Sequence, residues 1–135
     1  MTIIGIAFVA LFTWTQRTPV NSSGSSPDAI AEAFQTRMSN VQVSGVGVVR
    51  RILPDDNDGS RHQRFILGLS NGQTVLVSHN IDLAMRLTSL DRGDTVEFFG
   101  EYEWNADGGV IHWTHDDPAR RHIGGWLRHE GRTVK

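Results

Sequence analysis

Between Gly108 and Trp126 the chain reads GGVIHWTHDDPARRHIGGW, which places three histidines, two aspartates and two tryptophans in nineteen residues. Histidine is the side chain that exchanges protons near neutral pH, and its imidazole also ligates divalent metals. If Gly109 to His115 is extended, Val110, His112 and Thr114 point one way and Ile111, Trp113 and His115 the other. HWTH therefore does not direct both of its histidines at one ion. Asp117 before Pro118 has the form of a helix cap, which leaves Asp116 as the freer carboxylate.

A second cluster comes from HQRFILGLSNGQTVLVSHN, in which Asn71-Gly72 is a strong hairpin turn. Setting Ser70 opposite Gln73 makes Arg64 face His79 and puts His62 diagonally on the same face. One constellation is then His62, Arg64, His79 and His112, with Tyr102 or Trp104 alongside. The other is His115, Asp116, Asp117 and His122. Imidazoles beside an arginine fit phosphodiester hydrolysis, with or without a divalent metal. The plainer reading makes Trp104, Trp113 and Trp126 packing residues, the single histidines satisfied or solvated, and His129 tail surface.

Composition narrows the classes. The 135 residues suit one domain, and the formal net charge of −2 excludes binding of nucleic acid by bulk charge. There is no cysteine, so thiol nucleophiles, disulfides and thiolate metal sites are excluded. A glycine-rich phosphate loop, a serine nucleophile elbow and a His-Glu-x-x-His helix are all missing from the chain. PDDNDGS has the Asp-x-Asp-Gly start of a calcium loop without the closing Glu, and reads as a hairpin turn.

The elements that must position these residues follow from periodicity. Ile3 to Trp14 is apolar and uncharged, about the length of a signal-peptide core and short of the roughly 20 residues of a membrane span. We expect residues 1–17 to be a signal peptide or membrane anchor, 18–26 a flexible linker, and 27–135 a single domain on the periplasmic side. A helix starts at Pro27 and ends near Ser39-Asn40. VQVSGVGVVRRIL is a long strand bent at Gly45 and Gly47. The hairpin follows, then a short helix in NIDLAMRLTSL, the strand TVEFFGEYEW, the strand VIHWTH, and a short helix from Asp117-Pro118 to Gly124-Gly125. The tail from Trp126 has room for a short added strand. Five strands in this order predict a mainly β fold, a small five-stranded OB-like barrel with an N-terminal helix and short additional helices.

The strings HQRFIL, SHNIDLA, GEYEWN and GGVIHWTH resemble a bacterial family of small proteins, domain of unknown function 3465, over about Val41 to Gly131. The resemblance implies a compact exported-type domain and no particular activity. Two functions are expected. One is a small extracytoplasmic nuclease-like hydrolase using His62, Arg64, His79, His112, His115 and Asp116. The other is a non-enzymatic OB-type module for an oligonucleotide or other polyanion, an oligosaccharide or an envelope protein, with Tyr102, Trp104, Trp113 and His122 as ligand contacts.

Overall fold

The structure, a computed structural model, describes residues 27–135. The expected leader and linker, residues 1–26, lie outside the described residues. The element order is α1 (Pro27–Gln35), β1 (Val41–Asp56), β2 (His62–Gly68), β3 (Thr74–Asn80), β4 (Thr95–Glu103), β5 (Val110–His112), β6 (Trp126–His129) and β7 (Arg132–Val134). All seven strands form one sheet in the order β1-β2-β3-β5-β4-β6-β7. β1 also pairs with β4, so five strands close into a ring. Among the described residues only β3 and β5 run parallel.

β1 closes the ring because it serves two partners. Its first half pairs with β4 from Val41↔Tyr102 to Val48↔Thr95, and its second half pairs with β2 from Val48↔Gly68 onward. The strand must turn between them, and a register shift follows at Val49/Arg51. Gly47 permits the turn: a Cβ there would stand 2.9 Å from Leu67 Cβ. The alternating residues Val75, Val77, Phe65, Leu67, Val96, Phe98, Tyr102 and Ile111 face inward and are all buried. Ile30 and Ala33 of α1 join the same core. Burying a large side chain of this kind contributes about 2 kcal/mol. α1 is held down by Trp104, whose Nε1–H donates to Phe34 O at 3.0 Å.

Three expectations are corrected. The hairpin pairs Arg64 with Ser78 and Gln63 with His79, one residue away from the expected register. The turn is a three-residue loop: Gly72 N–H donates to Leu69 O, Leu69 N–H to Gln73 O, and Gly72 takes a left-handed φ of 86°. That one-residue slip moves His79 to the inner face, while His62 and Arg64 stay on the outer one.

The second correction is that α1 is the only helix among the described residues. The loop after β3 is not helical because its backbone groups are taken by side chains of the sheet. Met85 O accepts from His79, Leu87 N–H and Leu87 O pair with the Gln63 amide, and Asn80 Oδ1 accepts from Asp82 and Leu83 N–H. After Asp117 the same happens. Its carboxylate accepts from the Ala119, Arg121 and His122 amides, and Arg120 is left-handed at φ 53°.

Third, β5 ends at His112, since Trp113 has φ 54°. The alternation breaks there, and Thr114 and His115 are both buried. The tail forms a hairpin of two strands, β6 and β7, in place of a single short one. No helix among the described residues is long and apolar enough to cross a membrane.

Candidate functional site

On its outer face β3 presents Thr74, Leu76, Ser78 and Asn80 at every second position. Two hollows lie along this row. One, about 190 Å³, is lined by His62, Ser78, Asn80, Leu83, His112, Trp113 and His115. The other, about 200 Å³, is lined by Leu53, Ile66, Thr74, Val75, Leu76, Asn105, Asp107 and Gly109. Leu76 lines one hollow and Ser78 the other, and the two residues are neighbours in the outward row, so the hollows follow one another along this strand face, hereafter the groove. A larger open depression of about 620 Å³ sits against residues 81–88. Its Arg61 and Arg86 are paired with Asp82 and Asp55, and no histidine lines it.

His62, His112, His115 and Trp113 are thus brought together. His62 Nδ1 and His115 Nδ1 lie 2.8 Å and 2.7 Å from the carbonyls of Ser60 and Asp116. A carbonyl only accepts, so each Nδ1 carries the proton, and in the neutral ring each Nε2 is left as an acceptor. The histidine end of the groove is therefore rich in acceptors. Asp116 contributes its carbonyl to His115, and the residue itself is exposed.

His79 is not part of the groove. It is fully buried, with Nε2–H donating to Met85 O at 2.8 Å and Nδ1 accepting from the Thr114 hydroxyl at 2.7 Å. Burial pushes its pKa down to about 4, against the smaller opposing effect of the Met85 carbonyl. It is a neutral strut tying β3 to the loop after it and to Thr114.

Other expected contacts have structural jobs. Arg64 donates from Nε and Nη2 to Pro54 O and clamps β1 to β2. Tyr102 is fully buried, its hydroxyl donates to Gly108 O at 2.9 Å, and desolvation raises its pKa. Trp104 has Arg37 5.1 Å above its ring and packs under α1. Neither aromatic is a free stacking platform. His122 stacks on Trp113 with ring centroids 3.9 Å apart, and its Nε2 lies 2.8 Å from Glu101 Oε2.

Three residues, Glu101, Glu103 and Asp94, escaped the sequence reading, and a fourth, His129, was misplaced. Glu101 and Glu103 lie beside His112, whose Nε2 is 3.7 Å and 3.5 Å from their carboxylates. They are neighbours because β4 pairs with β5 at Glu101↔His112, a register obtainable by pairing the strands across the NADGG turn. His129, expected on the tail surface, is buried with Nε2 2.8 Å from Asp94 Oδ2. That contact, after a backbone hydrogen bond from the Asp91 turn, holds the Asp94 carboxyl below the usual range.

Fold and site together define a small, mainly β domain with a ring of five strands and a histidine-ended groove on its outer surface. The chain belongs to the family described as Protein of unknown function (DUF3465), which it matches over residues 9–135. The match extends the resemblance seen in the sequence to nearly the whole chain. No curated protein matches it.

Proposed function

We propose that this chain is a non-catalytic binding module on an OB-like barrel, acting outside the cytoplasm and holding a neutral, hydroxyl-rich ligand of the oligosaccharide type. The OB assignment draws on the five-strand ring, with β1 shared between β2 and β4 and a parallel β3–β5 pair. The groove crosses the outer face of β2 and β3, the surface on which OB domains take oligonucleotides and oligosaccharides. An extracytoplasmic location fits the apolar Ile3 to Trp14 run.

The observation that carries the ligand class is the lining of the groove. Acceptor nitrogens of His62 and His115, with the side chains of Ser78, Asn80 and Asn105, offer hydrogen bonds to hydroxyls. Leu53, Ile66 and Leu76 offer apolar contact, and Trp113 supplies one aromatic body. Asp107 lies in one hollow, and the carboxylate of Glu103 flanks His112 of the other. Such a surface repels a polyanion, which needs a groove lined with cations. A hydrolase draws less support, since His79, one of the expected catalytic residues, is buried in the core away from the groove.

The test is calorimetric titration of the full chain with cellohexaose and chitohexaose, and separately with a hexathymidylate. Ser78→Arg would fill the centre of the groove from an outward position. The reading expects saccharide binding that this variant weakens at least tenfold with an unchanged melting curve. Binding of the oligonucleotide alone, or saccharide binding indifferent to Ser78→Arg, would overturn it.

A further inference from the structure

The outer ends of β4 and β5 carry a second arrangement that packing and hydrogen bonding leave unexplained. His112 Nε2 is shielded from solvent and has no hydrogen-bond partner. It nevertheless sits 3.5 Å from Glu103 Oε2 and 3.7 Å from Glu101 Oε2, too far for hydrogen bonds. At those distances a protonated ring is ion-paired with both carboxylates, and a neutral one is hydrogen-bonded to neither, so the geometry calls for a cation there, a proton or a metal ion.

His122 completes the set from the other side of Glu101. Its Nδ1 is 2.8 Å from Ile123 O, which fixes the proton on Nδ1. Its Nε2 therefore faces the Glu101 carboxylate at 2.8 Å either as a lone pair or with a second proton. A lone pair against a carboxylate repels it, so the pair requires a cation, a proton or a metal ion, between them. Two features then match a metal ligand. A ligating histidine usually donates its other N–H to a carbonyl, as His122 does to Ile123. Trp113 also stacks on the ring at an interplanar angle of 10°, which sets the plane it presents.

From this geometry we infer that His112 Nε2, His122 Nε2, Glu101 and Glu103 form a site for a divalent transition ion of the zinc class. With no thiolate, two imidazoles and carboxylates are a donor set that suits Zn²⁺. Zinc–ligand distances near 2.05 Å place tetrahedral ligands about 3.3 Å apart. The 3.5 Å and 3.7 Å separations around His112 are close to that edge and the His122–Glu101 contact is shorter than it, while no three of these four donors lie within 4.8 Å of one another, so the remaining pairs must close by more than an ångström. The side chains must draw in. Among the described residues, the group whose ligand atoms already lie within 4.8 Å of one another is Asp94, His129 and Glu130. There, however, His129 Nε2 has its hydrogen-bond partner in Asp94, and no orphaned atom calls for an ion. The inference does not depend on what fills the groove.

The experiment is calorimetric titration of the metal-free full chain with ZnCl₂ at pH 7, with melting curves alongside. One ion per chain is expected, with proton release and a higher melting temperature. Glu101→Gln and His112→Ala should each lower affinity tenfold or more. His129→Ala should leave binding intact. Zinc binding lost in His129→Ala but kept in Glu101→Gln would assign the ion to Asp94 and overturn the inference, as would no binding by the wild type. Should the variants fail to fold, imidazole NMR of the wild type decides. Zinc must move the His112 and His122 ring resonances, and unmoved resonances refute the site.

Discussion

The buried His79 should make this domain acid-sensitive in a defined window. Its pKa is about 4 in the fold, against an ordinary value of 6.5, because burial disfavours the charged ring. Between those values the unfolded chain binds a proton that the folded chain refuses. The stabilising effect of keeping His79 neutral is therefore complete above pH 6.5 and is lost as the pH falls toward 4. From pH 7 to pH 5 the loss comes to about 2 kcal/mol, or roughly 5–10 °C in melting temperature for a domain of this size. The carboxylates do not confuse the window. Asp55 (hydrogen-bonded by Arg86), Asp82 (by the Arg61 backbone), Asp94 (by the Asp91 backbone) and Asp117 (by the Arg121 backbone) are all held below the usual carboxylate range. Their contribution is present above that range and disappears only below about pH 4. Urea denaturation at half-unit pH steps, on wild type and His79→Gln, measures the effect. The variant is expected to be less stable at pH 7 but to lose about 2 kcal/mol less between pH 7 and pH 5. Parallel pH profiles for the two proteins would refute the assignment of His79 as a neutral buried strut.

Three further outcomes are expected. Gln63→Leu strips the Leu87 amide and carbonyl of their buried partners, both at 2.9 Å, and should cost about 2–4 kcal/mol in urea denaturation while loosening the 81–88 loop in hydrogen exchange. Gly109→Ala should yield little folded protein by circular dichroism, because a Cβ would stand 2.2 Å from the Tyr102 ring at a φ of 102°. Tyr102→Phe removes the bond to Gly108 O and should lower stability by about 1–2 kcal/mol without changing ligand affinity, since the ring is wholly interior.

Much of the scaffold was legible in the sequence. Period-two alternation located β1 to β5, and Pro27 opened the helix where expected. What failed was decided by tertiary partners. The apolar spacing of Leu83, Leu87 and Leu90 suits a helix, but His79 and Gln63 claim the backbone groups a helix would have used. Asn71-Gly72 marked the hairpin correctly, yet only Gly72 is left-handed, so the loop has three residues and the register slips by one. That single residue transferred His79 from the site to the core. The left-handed Trp113 had a comparable effect, placing Thr114 beneath the sheet and His115 beside the groove. Glu101 and Glu103 were overlooked because their meaning depends on a cross-strand neighbour, His112, eleven and nine positions away.

The central claim is that ligand lies along the outer row of β3. It is tested most directly by amide NMR of the full chain titrated with cellohexaose and chitohexaose. Shifts should concentrate on Ile66, Leu76, Ser78, Asn80, His112 and Trp113, with the core amides of Phe65 and Val77 unmoved. Shifts centred on the 81–88 depression, or none at saturating saccharide, would contradict it.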